Sequence, residues 1–331
     1  MGHRGRLVLV PCPYQGHFNP MLQLGTFLQS NGFSVTVVLT KCSSPIPLNH
    51  PNLTFLSIPD GLSDRDKSSG NYTALILALN VNCLAALEEC LTQMMKYQQP
   101  HEEIACIIYD ELLYFSEAVA NRVGLPSVIF RTNNAVTYLA RGCVFEPIIG
   151  GHFPLSDFAE MAWGLASSKH PFLWVVRPGS VIGSEWIESL TNDYKEAVGN
   201  KGCIVQWAPQ KQVLRHDAVG VFWIHCGWNS TLESICEGVP MICRPIFGDQ
   251  KVTARYVSDV WRVGVRMENK LERGEIERTI RRLMVDEEGE ETRQRAIDLK
   301  NKVEACTREG GSSYNSMKKL VEFIMSLKSQ R

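Results

Sequence analysis

Apolar and polar positions along the chain follow two periods. Continuous apolar runs at 6–11, 33–39, 104–109 and 125–130 are too short for helices and predict strands, the run at 104–109 a buried one. Between them, helical spacing at 20–30, carried by Met21, Leu22, Leu24 and Leu28, and again at 73–96 and 112–123, predicts helices that cross the strands. Gly32 stops the first of these. Strand, helix and strand in this order form a βαβ unit with a right-handed crossover, the opening of a parallel sheet. After residue 141 the pattern changes, because 142–158 is short, Gly/Pro-rich and irregular. Strands are then predicted at 171–177, 202–206 and 239–244, helices at 252–260 and 273–284, and a charged helical tail at 287–329 broken at Gly310-Gly311. No internal repeat is found.

One corner of this pattern carries chemistry. The apolar run 219–224 predicts a buried strand, His225-Cys226-Gly227-Trp228-Asn229-Ser230 follows it, and 231–237 continues with helical spacing until Gly238. The first amides of a helix have no partner inside it, and its dipole places positive charge there, so the turn is a seat for phosphate. Asn229 and Ser230 fall at predicted cap positions, where they can cap the helix or donate to phosphate oxygens. His225 adds a donor that becomes cationic on protonation. Glu233, one turn further on, can accept from two neighbouring hydroxyls such as a ribose diol, and Trp207 offers a flat ring for stacking a base. The plainer reading is a strand-turn-helix corner in which Trp and His fill space. In open parallel sheets ligands bind beyond the carboxyl ends of strands, where His17 and Asp110 fall. A loop His is more often a surface residue, and Asp110 on local sequence reads as a cap for the helix 112–123.

At 331 residues the chain has room for two domains, and 44% hydrophobic with 21% charged residues is ordinary for a globular protein. A net charge of -1 leaves no electrostatic footprint for nucleic acid or an anionic membrane, and no apolar run is expected to reach spanning length. Small-molecule partners and a cytoplasmic location are the expectation. Eleven cysteines without Cys-x-x-Cys pairs predict reduced, buried thiols, not a disulfide framework or a zinc site. Residues 1–6 lead into a short strand, so no signal peptide is expected. Asp64-Arg65-Asp66 has a metal-binding spelling, but in a polar loop with no strand before it. Nowhere does Gly-x-Gly-x-x-Gly follow a strand, which weighs against a nicotinamide-dependent oxidoreductase.

The stretch 207–250 closely resembles, without a gap, the signature box of plant UDP-glycosyltransferases (family 1 glycosyltransferases). It opens with Trp207-Ala208-Pro209-Gln210, carries His225-Cys226-Gly227-Trp228-Asn229-Ser230 and closes with Asp249-Gln250. Gly16-His17-Phe18-Asn19-Pro20 resembles the family's Gly-His-x-x-Pro loop, whose His is the catalytic base, and Asp110 resembles its partner Asp. The resemblance implies an α/β fold of two Rossmann-like domains facing across a cleft (GT-B): an acceptor-binding domain at 1–150 and a UDP-sugar-binding domain at 151–331. It further implies inverting transfer of glucose from UDP-glucose to a small hydrophobic acceptor, a plant secondary metabolite or hormone, by a monomer that needs no metal or other cofactor. In that reading Trp207 stacks on the base, Ala208 belongs to the UDP-sugar site, Gln210 stands near base and ribose, and Glu233 on the ribose hydroxyls. His225, Gly227, Asn229 and Ser230 surround the diphosphate, while Trp228, Asp249 and Gln250 meet the sugar, a final Gln being the family's sign of glucose. The family's last helix crosses back onto the first domain, a role open to 317–325. Two departures stand out. Ile224 occupies a position that is normally Ser or Thr. Between 141 and 159 a segment on the order of a hundred residues is missing, judged by domain size: the rest of the first domain, the linker, and the strand and Gly-Ser turn that open the second sheet. The alternative is therefore a truncated paralogue, catalytically weak or inactive, that retains nucleotide binding.

Overall fold

The computed structural model describes residues 4–43, 50–63, 71–99, 102–140, 155–176, 192–246, 248–267 and 270–329. The chain forms two compact units, residues 1–132 with 308–331, and residues 133–307. The boundary expected from the sequence is at 150, with 151–331 as the second domain and 317–325 open to crossing back onto the first. It differs because the change in composition at 142 is not where contacts change.

In the first unit β1 (Arg6–Val10), β2 (Ser34–Thr40), β3 (Thr54–Ile58), β4 (Ile104–Asp110) and β5 (Ser127–Phe130) form one parallel sheet in the order β3-β2-β1-β4-β5. The central strands read as unbroken apolar runs because successive side chains enter cores on opposite faces. Val8 and Val10 join Ile107 and Tyr109 against Leu79, Leu87 and Leu91 of α2 (Tyr72–Tyr97) and Val119 of α3 (Phe115–Arg122). Leu7 and Leu9 turn the other way, onto Met21, Leu22 and Leu28 of α1 (Gln15–Ser30). That second core also takes Val321 and Ile324 from the last helix of the chain, Ser312–Ser329, with Met317, Leu320 and Leu327 beside them. Their spacing is one helical stripe, and it is what ties the tail to the first unit. The expectation that no segment reaches spanning length is corrected by α2, which is long and apolar enough to cross a membrane by length and composition. Its stripe Leu79, Cys83, Leu87 and Leu91 is buried in this core.

The second unit begins with α4 (Ala135–Ala140), followed by α5 (Leu155–Ser168), β6 (Phe172–Val175), α6 (Asn192–Val198), β7 (Gly202–Val205), α7 (Gln210–Leu214), β8 (Phe222–Ile224), α8 (Trp228–Glu237) and β9 (Met241–Cys243). It continues with α9 (Asp249–Arg255), a π-helical turn (Tyr256–Val260), β10 (Gly264–Arg266), α10 (Arg273–Met284) and α11 (Glu287–Thr307). The strands lie in two parallel sheets, β6-β7 and β10-β9-β8. Only half of the predicted strand at 219–224 is a strand, with Phe222 and Trp223 half-buried, because β8 is the edge of its sheet. The ten described cysteines are free thiols; Cys12, Cys83, Cys106, Cys226 and Cys243 are buried, but Cys203 and Cys236 are exposed. Asp64 and Asp66 lie outside the described residues, as does most of 142–158.

Candidate functional site

In the strand order 3-2-1-4-5 the chain reverses direction of growth between strands 1 and 4, and crevices at the carboxyl ends of those strands bind ligands. In the first unit these strands are β1 and β4. His17 follows β1 but is not in a loop as predicted. The helix begins at Gln15, the amide of His17 bonds the Tyr14 carbonyl at 2.8 Å, and Pro20 sits inside α1. Asp110 is the last residue of β4 and is fully buried. It does not cap a helix, since α3 starts only at Phe115; its Oδ1 accepts the Leu112 amide at 3.0 Å and its Oδ2 lies 2.8 Å from His17 Nδ1. An ionised carboxylate can only accept, so this contact places the proton on Nδ1 and leaves the Nε2 lone pair to act as a base. Thr132, which no sequence signal singled out, places its Oγ1 3.2 Å from the same nitrogen as a second acceptor. Asn80 of α2 braces the loop beyond Asp110 by donating to the carbonyls of Ile76 and Leu112 and accepting from the Phe115 amide. Burial, then the nearby Asp110 charge, pushes the Cys12 thiol up, and burial pushes the Tyr14 phenol up, so both stay protonated beside His17 at neutral pH.

In the second unit the predicted strand-turn-helix corner is present, built differently in detail. Cys226 occupies the left-handed region (φ 65) and turns the chain, and Gly227, in an extended conformation, is the residue that precedes the helix, with no side-chain cap. Asn229 and Ser230 are therefore the second and third residues of α8, not its cap. A Cβ on Gly227 would stand 2.6 Å from His225 Nε2, so the missing side chain leaves the imidazole room beside the residue that precedes the helix. Trp228, the first residue of α8, sits in an aromatic group with Trp261 (6.3 Å between ring centres), which in turn meets Tyr256 edge-on. Ser230 and Glu233 lie one turn apart on one face, and Gln210 joins them: its Nε2 donates to Ser230 Oγ at 3.1 Å and to Glu233 Oε2 at 2.7 Å. The indole of Trp207, three residues before Gln210, is 67% exposed, as a stacking platform must be; Ala208 is half-buried. Ile224 turns into the core with Ile235, Met241 and Ala254. The Cys243 thiol behind the corner is pushed up by a hydrogen bond with Cys226 and by burial. Gly238 ends α8 in the left-handed region, as its sequence position predicts.

Asp249 opens α9 after Gly248, whose φ of 58 suits only glycine. Gln250 is 5% exposed, and its Oε1 accepts the Ile246 amide at 2.8 Å, which fixes the turn before the helix. A 290 Å³ cavity at the amino ends of β1 to β3, lined in part by Arg6, Thr36, Asn52 and Glu102, holds none of the candidate residues.

Residues 152–295 match the family profile described as UDP-glucoronosyl and UDP-glucosyl transferase. A flavonol 3-O-glucosyltransferase of Arabidopsis thaliana, UGT76E12, is 36% identical, over 98% of this chain and 98% of its own length. UDP-glycosyltransferase 76E1 of the same plant is also 36% identical, over 99% of this chain and 98% of its own. The first alignment runs over 449 positions, at least 118 more than this chain has residues (449 less 331), so the relatives carry a segment that this chain lacks. Among solved structures, Os79 from O. sativa in complex with UDP superposes with a TM-score of 0.84 at 23% identity, covering 97% of this chain and 100% of that one. Phytolacca americana UGT2, complexed with UDP-2fluoro-glucose and pterostilbene, gives 0.78 at 20% identity, covering 97% and 99%. These establish the GT-B fold. With the identity of its relatives across nearly its whole length, the chain belongs to the plant UDP-glycosyltransferases, as a UDP-dependent glycosyltransferase from which an internal segment is missing.

Proposed function

We propose that this protein transfers glucose from UDP-glucose to a hydroxyl, carboxyl or nitrogen of a small hydrophobic acceptor, with inversion at the anomeric carbon. The observation that carries the reading is the His17–Asp110 contact of 2.8 Å at the switch point of the first sheet. His17 Nε2 takes the acceptor proton as the acceptor atom attacks the anomeric carbon from the face opposite the departing UDP. Asp110 holds the imidazole in the productive tautomer and stabilises its cation. Trp207 and Ala208 receive the uracil, Glu233 and Gln210 the ribose, and His225, Gly227, Asn229 and Ser230 the diphosphate. Trp228, Asp249 and Gln250 meet the glucose. The α8 amides and His225 neutralise UDP as it leaves, a role that elsewhere falls to a metal. Free, partly buried thiols suit a cytoplasmic monomer, which light scattering and a fluorescent fusion test.

The experiment is a UDP-release assay over a panel of phenolic, carboxylic and amine acceptors, beside the same assay on His17→Ala. Turnover abolished by the substitution supports the reading; turnover that survives it overturns the base assignment. A second reading, a weak or inactive paralogue that still binds UDP, is favoured by the deficit of at least 118 aligned positions and by the divided sheet of the second unit. A chain with a relative's segment inserted between 141 and 159 separates the two. Activity restored only by the insertion supports the second.

A further inference from the structure

Six parallel strands in a doubly wound sheet take the spatial order 3-2-1-4-5-6. In the second unit β7 and β6 pair as strands 3 and 2 of such a sheet, and β8, β9 and β10 follow as strands 4, 5 and 6. Among the described residues, strand 1 is lacking, and the sheet is divided at the place it would hold. The first unit supplies the comparison within the same chain: its order β3-β2-β1-β4-β5 has β1 between strands 2 and 4, its last four residues buried. Two more observations mark the position. A crossover helix joins neighbouring parallel strands, so α5, which leads into β6, is the helix that follows strand 1. The same helix packs against the cores of both sheets. Its Phe158 stacks on Trp174 of β6 at 4.7 Å, and its Met161 and Leu165 share a core cluster with Trp223 of β8 and Ile242 of β9. On β6, Leu173 and Val175 are 42% and 41% exposed, although parallel sheets normally have both faces covered.

We propose that the gap between β6 and β8 is a strand-accepting site that binds an extended apolar segment of another polypeptide, parallel to both edges. Two edges that are open among the described residues and share one gap call for a single strand, whose backbone donors and acceptors serve both at once. A second copy of this chain would bring its own divided sheet and not a spare strand. The segment has β-branched residues, to suit a strand flanked on both sides, and small residues after it, because the carboxyl end of strand 1 borders the phosphate corner at His225. The relatives' additional positions are a natural source of such a segment.

The test is hydrogen–deuterium exchange on the full 331-residue chain with a synthetic peptide, Lys-Lys-Ser-Val-Ile-Val-Val-Gly-Ser-Lys. A control peptide carries Pro in place of Ile and Pro in place of the last Val, which removes backbone donors. The first peptide should slow exchange saturably, by about tenfold or more, in both 172–175 and 222–224, and the control should not. Slowing at one edge only, equal slowing by the control, or no slowing overturns the proposal. So does protection already complete without peptide, which would mean that the chain fills the gap itself, or protection that grows with protein concentration, which would make a second copy the occupant.

Discussion

Replacing Glu233 by Ala tests the nucleotide corner without depending on turnover. The carboxylate is half-buried on α8, and its Oε2 already accepts the Gln210 amide at 2.7 Å. A carboxylate has about four lone-pair sites, so room remains for the two hydroxyls of a vicinal diol. Each hydrogen bond to a charged acceptor contributes about 1.5 to 3 kcal/mol, and each 1.4 kcal/mol is tenfold in affinity, so one such contact is worth about 10- to 150-fold and the variant should bind UDP more weakly by at least about 10-fold. Calorimetry with UDP and with 2′,3′-dideoxy-UDP on both proteins isolates the ribose term as a cycle. The wild-type chain should prefer UDP by that factor, and Glu233→Ala should bind the two nucleotides alike. Gln210 keeps its contact to Ser230 in the variant, so α7 stays anchored and the melting curve should hardly move. A variant that binds UDP within a factor of about two of wild type, or that retains the preference for the diol, would refute the assignment of Glu233.

Three further substitutions probe the frame around the sites. Asp110→Asn keeps the acceptor for the Leu112 amide but loses the carboxylate that fixes His17, so kcat should fall by about 10² to 10⁴. Combined with His17→Ala it should be no worse than His17→Ala alone; additive losses in steady-state kinetics would show that the two do not act as a unit. Asn80→Ala strands the Phe115 amide and the Leu112 carbonyl in a buried site and should cost about 2 to 4 kcal/mol in urea unfolding; a loss below about 1 kcal/mol would mean that the loop after β4 is held by other contacts. Gly264→Ala places a Cβ 2.3 Å from the Met241 carbonyl oxygen, backbone that cannot step aside, and should destabilise by at least about 2 kcal/mol by circular-dichroism melting. An unchanged melt would contradict the close approach of β10 to β9.

The sheet of the first unit is legible in the sequence because its central strands are buried on both faces and read as unbroken apolar runs. β10 is not, since Gly264, Val265 and Arg266 carry neither length nor period. The position of the strand-turn-helix corner is legible, but its cap is not. Residue type points to Asn229 and Ser230, whereas the turn is made by a non-glycine residue, Cys226, at positive φ, and that follows from the packing of β8 and α8. Asp110 shows the same limit. Its local sequence favours a cap, while its partner His17 lies 93 residues away and is reached only through the family resemblance or the order of strands. The unit boundary escapes composition because it rests on particular contacts, such as Asn134 Nδ2 donating to Thr253 Oγ1 at 3.1 Å, which ties residue 134 to α9 well before the irregular stretch begins.

The two switch points are affected unequally by the missing segment. In the first unit both strands that flank it are present, and each delivers one member of the pair: α1 after β1 supplies His17, and β4 ends in Asp110. In the second unit the corner proposed for the phosphates follows strand 4 alone. β8, its turn, α8 and β9 span residues 222–243, and Ile224, Cys226, Ile235, Met241 and Cys243 share one core with Ala254, Val257, Val263 and Ala296. All of these residues lie downstream of strand 1, so the corner proposed to seat the nucleotide is built without a contribution from it. What is lost is the neighbour that would stiffen one side of the turn. The expected signature is a UDP dissociation constant that falls when the relatives' segment is inserted, with the ratio of UDP to dideoxy-UDP affinities unchanged, because that ratio is set by Glu233 on α8 and not by the strand beside it. A ratio that changes with the insertion would mean that the ribose contact itself depends on strand 1.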